Sequence, residues 1–307
     1  MLIISTSTPS NYPPYPVILL FGPTGVGKTE LILRECSRDY EVISADSMQV
    51  YRGLDIGTAK PDQDMLDQIT HHLIDIREPH EQFHVGDFVH LADALIASIN
   101  RRGRIPVVSG GTAYYFKHLL YGLPETPPAD HRVRSRLQQH CERYGLEKLY
   151  QQLREVDPQG ASSISPNDAY RIIRALEVYH CTGRPLSSYR MPRTIRPLLD
   201  PVVIGLTRPR EVLYQRIEMR VQHMIAQGLY EEIRGLIKGG ARPEWPGMKG
   251  IGYREFFSYR ETGEYSLAAA ASLIALHSRN YAKQQMTFFK SLPGVHWTAP
   301  EDLHITQ

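Results

Sequence analysis

The octet "GPTGVGKT", Gly22 to Thr29, has the residue types needed to hold a phosphorylated group. Gly22, Gly25 and Gly27 free the backbone to turn so that several N–H groups converge on one anion. Pro23, Thr24 and Val26 complete the loop. A helix starting near Lys28 turns its positive end to the same anion. Lys28 would reach the phosphates, and Thr29 would offer its hydroxyl to Mg²⁺. Such a cradle recognises phosphates, not the group attached to them. Two further side chains could act beside it. Asp46 ends "EVISAD", and a carboxylate there can accept the proton of an incoming nucleophile. It can also cap the turn "DSMQ" that follows; the local pattern fits both roles. Thr112, after "IPVVSGG", offers a hydroxyl where ligands of open α/β sheets bind. The acid that holds Mg²⁺ in nucleotide hydrolases of this type stands at the end of a later apolar strand. "IPVVSGGT" ends without one, and Asp75 lies in a poorer apolar run, "HLIDI". Efficient hydrolysis is therefore not expected. Two reactions stay open: phosphoryl transfer to a hydroxyl, as in a small-molecule kinase, and alkyl transfer with diphosphate leaving.

The elements that must position these groups follow from the apolar pattern. "PVILLFG" (16–22) is a continuous apolar run feeding the glycine loop, which suits a buried parallel strand. "EVISAD" (41–46), "HLIDI" (72–76), "IPVVSGG" (105–111) and "PVVIGLT" (201–207) read as further strands, with "GVHW" (294–297) as a last short one. Val85, Phe88, Val89, Ala92, Leu95, Ile96 and Ile99 recur at helical spacing. Alternating strand and helix predict a parallel α/β sheet. From 125 to 200, between the Pro-rich stretches "LPETPPAD" and "RMPRTIRPLLDP", there is helical periodicity and no good strand. The expected organisation is a loose tail at 1–15, a core of 16–124 with 201–307, and an inserted helical domain at 125–200. Helices are expected at 209–238 and 266–290.

The composition bounds the partners. Lys and Arg number 35 against 33 Asp and Glu, a net charge of +2, so a polycation is excluded. The charge is nevertheless unevenly spread. Residues 130–200 hold 12 basic and 8 acidic residues, +4, which leaves (35−12)−(33−8) = −2 for the rest. In the insertion Arg132 and Arg136 share a helix face, with Arg134 near a different one, and Arg171 and Arg174 stand three apart on one face. Such faces can follow a phosphate backbone; an excess of four charges also suits a solvated surface. Cys36, Cys141 and Cys181 form no C-x-x-C pair, so neither a disulfide framework nor a zinc site is expected, and a reducing cytosol is. No apolar run approaches the roughly 18 residues of a membrane span. The first residues lack the pattern of a signal peptide.

The blocks "GPTGVGKT", "ISADSMQVYRGLDIGTAKP", "HHLID", "GGTAYYFKHLLYGL", "NDAYRIIRALEVYH", "GIGYREF" and "AKQQMTFF" occur in collinear order over about 16–297. Together they strongly resemble the tRNA dimethylallyltransferases, also called tRNA isopentenyltransferases. The resemblance implies a P-loop NTPase-like core with an inserted helical domain. It implies transfer of a dimethylallyl group from dimethylallyl diphosphate, with Mg²⁺, to N6 of the adenosine 3′ of the anticodon in tRNA. Asp46 then matches the general base, Thr112 the threonine beside the reaction centre, and Arg220 an arginine facing the diphosphate; an ion pair with Glu218 is the other reading of Arg220. RNA contacts carried over by position are Asp46, Ser47, Met48 and Gln49 with Thr112, and, in the insertion, Arg134 with Tyr170, Arg171, Ile172, Ile173 and Arg174. Further along they are Lys249, Gly250, Ile251, Gly252, Tyr253 and Arg254, then Arg279, Lys283 and Gln285. Arg134 and Arg171 are the expected phosphate partners and Gln49 a reader of a base edge; Tyr253 suits either base stacking or core packing. Gln284, Phe288 and Lys290 stand where the family often has Arg, Trp and Arg. The Cys/His-rich tail of the family's eukaryotic members is absent. The expected protein is thus a cytoplasmic monomer of bacterial type acting on tRNA without zinc.

Overall fold

The computed structural model describes residues 2–5, 7–257 and 267–306. They divide into two compact units, 1–120 with 196–307, and 121–195. Position 266, the expected start of the last helix, lies outside the described residues.

The first unit is built on a six-stranded, all-parallel sheet. Its strands are β2 (Tyr15–Phe21), β3 (Tyr40–Ser44), β4 (His71–His72), β5 (Ile105–Gly110), β6 (Leu199–Leu206) and β7 (His296–Thr298). Their spatial order is β4-β3-β5-β2-β6-β7. β2, β3 and β5 are buried along their whole length, as continuous apolar runs in a parallel sheet must be. β2 lies between β5 and β6, so the loop leaving it opens at mid-sheet. That loop feeds α1 (Lys28–Glu35). Gly27 sits at φ 108°, a left-handed conformation that a Cβ would strain.

β3 and β5 are pinched together at their carboxyl ends. The Ala45 N–H donates to Ser109 O at 2.7 Å, and the Thr112 N–H to Ala45 O at 3.1 Å. A Cβ on Gly110 would lie 2.2 Å from the Ala45 carbonyl oxygen, so only glycine admits this approach. The pinch sets Asp46 next to Thr112. α11 (Leu267–Phe289) is fixed to the end of β2 by Phe289, whose ring stacks on Phe21 at 4.3 Å with Phe116 edge-on to both. The other helices of this unit are α2 (Gln63–Gln68), α3 (Val85–Arg101), α4 (Ala113–Tyr121), α9 (Arg210–Ala226) and α10 (Leu229–Lys238). α3 buries Phe88, Val89, Ala92, Ile96 and Ile99, the spacing expected of it.

Two readings are corrected. Residues 1–15 are not simply a loose tail: β1 (Leu2–Ser5) pairs in parallel with β8 (Leu303–Thr306). Ile305 and Leu303 are buried and supply the apolar surface that makes this pairing worthwhile. "HLIDI" gives a strand only at its first residue, His72, because Leu73 and Asp75 take positive φ and turn the chain away. Asp75 instead pairs with Lys60.

The second unit packs α5 (His131–Tyr144), α6 (Leu146–Val156), α7 (Pro158–Ser163) and α8 (Ala169–Thr182) around Leu137, Leu149, Leu153, Ile172 and Leu176. Asp130, Asp157 and Asp168 are N-caps, each accepting from backbone N–H groups of the first turn it precedes.

Candidate functional site

A cleft of about 740 Å³ opens at the carboxyl edge of the sheet in the first unit. Its lining includes the loop residues Thr24, Gly25, Gly27, Lys28 and Thr29, the acid Asp46 with Ser47, Met48 and Gln49, and Arg220 from α9. Lys249, Gly250, Ile251 and Arg254 line it as well, as do Tyr281 and Gln285 of α11.

The loop is held from several sides. Lys28 Nζ donates to the carbonyls of Gly22 (2.9 Å) and Pro23 (3.1 Å). Arg208 and Arg216 grip the outer face, their Nε atoms donating to Val26 O and Gly25 O at 2.8 Å each. Arg216 also pairs with Glu30 at 2.7 Å. The Val26 N–H donates to Pro23 O at 3.3 Å and the Thr24 N–H to Gln285, whereas the N–H groups of Gly25, Gly27 and Lys28 meet no acceptor among the described residues and suit an anion. Arg220 Nη1 donates to Thr24 Oγ1 (3.2 Å) and Nη2 to Thr58 O (3.4 Å). The alternative pairing of Arg220 with Glu218 is not adopted; Arg279 takes Glu218.

Lys28 and Arg220 stand close enough for the charge of one to act on the other. Burial first, and then the Arg220 charge, push the Lys28 ammonium down to about 8, with Asp46 pulling the other way. Burial also lowers Arg220, again against the pull of Asp46. Two desolvated cations side by side are costly in themselves and well suited to a polyanion.

Asp46 Oδ1 accepts the N–H of Met48 at 2.8 Å and of Gln49 at 3.4 Å. The turn-cap role is therefore real, and it fixes the carboxylate. Among the described residues no hydrogen bond reaches Oδ2, which leaves that oxygen for a proton. Thr112 Oγ1 accepts the Ser47 N–H at 3.0 Å. Tyr281, 37% exposed overall, completes this corner: desolvation of its phenol and the Asp46 charge push it up to about 12, opposed by hydrogen bonds with Thr112 and Gln285. Gln285 is buried; it donates to Gly111 O at 2.7 Å and accepts the Thr24 N–H at 3.0 Å, tying the loop to the end of β5.

The structure thus unites Asp46, Thr112, the loop and Arg220 with Ser47–Gln49 and Gln285. Other carried-over residues lie elsewhere. Tyr253 is fully buried with its hydroxyl on Glu232 at 2.8 Å, so it packs in the core and does not present a ring to a base. Gly252, at φ 101°, is buried and donates its N–H to Glu255. Arg279 and Lys283 lie outside the cleft lining, Lys283 exposed. In the helical unit Ile172 and Ile173 are core residues, so their side chains are unavailable for RNA. Arg134 and Arg174 are both committed to the buried Glu177, at 2.8 and 3.2 Å. Burial raises the Glu177 carboxyl, but the bonds from Arg134, the Asp130 N–H and Arg174 outweigh it and hold the group below its ordinary value. Arg171 and Tyr170 are exposed, and among the described residues Arg171 pairs only with the half-buried Asp168, at 3.3 Å. Sequence reasoning missed Arg208, Arg216 and Tyr281. For Tyr281 a signal existed: Ile274, Ser278, Tyr281 and Gln285 fall on one helix face, and all four line the cleft.

The chain matches the family model described as IPP transferase over residues 49–292. The loop and Asp46 precede that span. A tRNA dimethylallyltransferase of Geobacillus thermodenitrificans is 44% identical over 290 residues, 93% of this chain and 91% of the relative. One from Geobacillus kaustophilus is 44% identical over 283 residues, covering 92% and 89%. Among solved structures, the tRNA isopentenylpyrophosphate transferase of Bacillus halodurans is similar with a TM-score of 0.65 and 39% identity, covering 92% of this chain and 89% of that one. A eukaryotic dimethylallyltransferase acting on tRNA has a TM-score of 0.77 at 28% identity, covering 92% and 73%.

Proposed function

The chain belongs to the IPP transferase family, and from that premise we propose that it transfers a dimethylallyl group from dimethylallyl diphosphate to tRNA. The acceptor is N6 of the adenosine 3′ of the anticodon in tRNAs that read codons beginning with U. The observation that supports the reading best is the shared edge: a cation-rich phosphate loop and a fixed carboxylate, Asp46, face one cleft.

The adenine amine is a weak nucleophile because its lone pair is delocalised into the ring. In the proposed step the N6–C1 bond to the dimethylallyl group forms as the C1–O bond to diphosphate breaks. The N6 proton passes to Asp46, in the manner of a general base. Lys28, Arg220 and the loop N–H groups take up the charge that builds on the departing diphosphate. Thr112, held by the Ser47 N–H, stands beside Asp46 to orient the amine. The target base must leave the anticodon stack, at a cost of a few kcal/mol that is least for a loop nucleotide. Among the described residues no group of three or more His, Cys, Asp or Glu could cage a metal. Mg²⁺ suits the residues present all the same, since it binds through substrate phosphates and few protein oxygens. The exposed Thr29 hydroxyl at the start of α1 would hold it, and bound there it would neutralise diphosphate charge. The reading extends to a cytoplasmic monomer acting without zinc.

The test is incubation of the protein with Mg²⁺, tRNA and labelled dimethylallyl diphosphate, with labelled ATP in a parallel tube. Label passing from the prenyl donor into tRNA, and lost with Asp46→Ala, is the expected result. Label moving only from ATP would replace this reading with a kinase. Full activity of Asp46→Ala would remove the base.

A further inference from the structure

The turn after Leu54 is held by a carboxylate from α10, a helix that contributes no residue to the cleft lining. Glu232 Oε2 accepts the N–H groups of Asp55 (3.0 Å) and Ile56 (2.8 Å). Its Oε1 accepts the Gly57 N–H (3.3 Å) and the Tyr253 hydroxyl (2.8 Å). Three consecutive backbone N–H groups thus converge on one carboxylate, an anion nest whose anion the chain itself supplies. The Tyr253 ring backs the turn so closely that a Cβ on Gly57 would lie 2.6 Å from it. Burial and the Glu232 charge drive the Tyr253 phenol well above its ordinary value, so it remains a donor to Glu232.

The turn faces the cleft through its carbonyls. Thr58 O receives Arg220 Nη2 at 3.4 Å and Gln49 Nε2 at 3.4 Å, and Ala59 O receives Gln49 Nε2 at 3.2 Å. Contacts this long are lost on a shift of a few tenths of an ångström. The turn thus supplies one of two anchors for each of two side chains: Arg220, held also by Thr24 Oγ1 at 3.2 Å, and Gln49, whose Oε1 accepts the Ser44 hydroxyl at 3.0 Å.

We infer that Glu232 and Tyr253 are positioning residues for the transfer, fixing the 55–59 turn so that its carbonyls help aim Arg220 at the diphosphate and Gln49 at the RNA base. The inference rests on the functional reading above.

Glu232→Gln keeps the volume but sets an NH₂ against N–H donors. Steady-state kinetics with dimethylallyl diphosphate and an anticodon stem-loop should show kcat/KM falling about tenfold for both substrates. In an Arg220→Met background the further loss on the donor side should shrink below about twofold, because the group acted through is gone. A Gln49→Ala background should do the same on the RNA side. Tyr253→Phe removes one hydrogen bond, leaves the ring against Gly57, and should give the same pattern at about threefold; it carries the test if Glu232→Gln does not fold. The same fold-loss in every background means a role in stability alone and overturns the inference, as does an unchanged Glu232→Gln. In both cases wild-type transfer still stands. A wild-type protein that moves no prenyl group defeats the functional reading first, and the inference with it.

Discussion

Arg220 in the α/β unit and Arg134 in the helical unit are both drawn inward, and they are used in opposite ways. Arg220 is set beside another cation, Lys28; burial lowers both groups, the Arg220 charge lowers Lys28 further, and Asp46 pulls each the other way. Arg134 is set on Glu177, a fully buried carboxylate that Arg174 shares. In the first region like charges are buried side by side, an arrangement suited to an anion from outside. In the second the charges are completed from within. Unsatisfied electrostatics mark a binding site, whereas satisfied electrostatics mark a scaffold. A count of arginines treats both regions alike.

The largest effect should come from Asp46→Asn. The amide keeps an oxygen for the Met48 N–H, so the turn survives, but it cannot take the amine proton. Loss of a general base lowers kcat by about 10²–10⁴-fold. Single-turnover rates with prenyl donor and RNA both saturating would measure it; a loss under tenfold would mean that Asp46 serves as a cap alone.

Glu177→Ala tests the other side of the comparison. It strands Arg134 and Arg174, and breaking such a buried group costs about 3–5 kcal/mol. Thermal unfolding should shift down, and stem-loop affinity should fall, while inhibition by inorganic diphosphate is retained. Equal loss of diphosphate inhibition would mean that the two regions do not divide the work in this way.

The Lys28 shift gives a pH test of the unsatisfied cluster. The folded value, about 8, lies below the ordinary 10.5. The charged ammonium is therefore disfavoured in the folded, anion-free protein. That penalty to stability is fully present below pH 8 and fades as pH rises toward 10.5. Diphosphate favours the charged form, so binding takes up a proton wherever Lys28 starts neutral. Affinity should fall by up to tenfold per unit above pH 8. Lys28→Arg should lack this fall, and the ratio of the two inhibition constants between pH 7 and 9.5 cancels the ligand's own titration. A constant ratio would refute the shift.

The core was open to sequence reasoning because its constraints are local. An apolar run, a glycine loop and a lysine in eight consecutive residues leave little freedom, and Asp46 and Thr112 followed from standing at the ends of two such runs. What stayed hidden depends on pairs distant in sequence. Nothing around Arg216 predicts that it will hold Gly25 O, 191 positions away. The β1–β8 pairing joins the two ends of the chain, and a short strand with no amphipathic period leaves no trace by itself. "GIGYREF" was recognisable as a block, yet burial of Tyr253 is set by Glu232 on another helix. "NDAYRIIRALEVYH" showed its basic face, but only the partner carboxylate, Glu177, reveals that Arg174 is already spent within it.

The smallest expected effect separates the arginines of α8. Arg171 is 67% exposed, against 21% for Arg174, and its one partner among the described residues, Asp168, also caps the helix and keeps that role without it. If Arg171 meets an RNA phosphate, Arg171→Ala should weaken stem-loop binding uniformly across loop sequences and reduce the slope of log K against log salt by about one. Stability should be unaffected, since exposed ion pairs contribute about 0–1 kcal/mol. Arg174→Ala should do the reverse, lowering the melting temperature with the salt slope unchanged. Titrations at three salt concentrations would read both variants. An unchanged slope for Arg171→Ala would leave the helical unit without a free phosphate contact on this face of α8, and the +4 excess of residues 130–200 would then belong to its internal ion pairs and solvated surface.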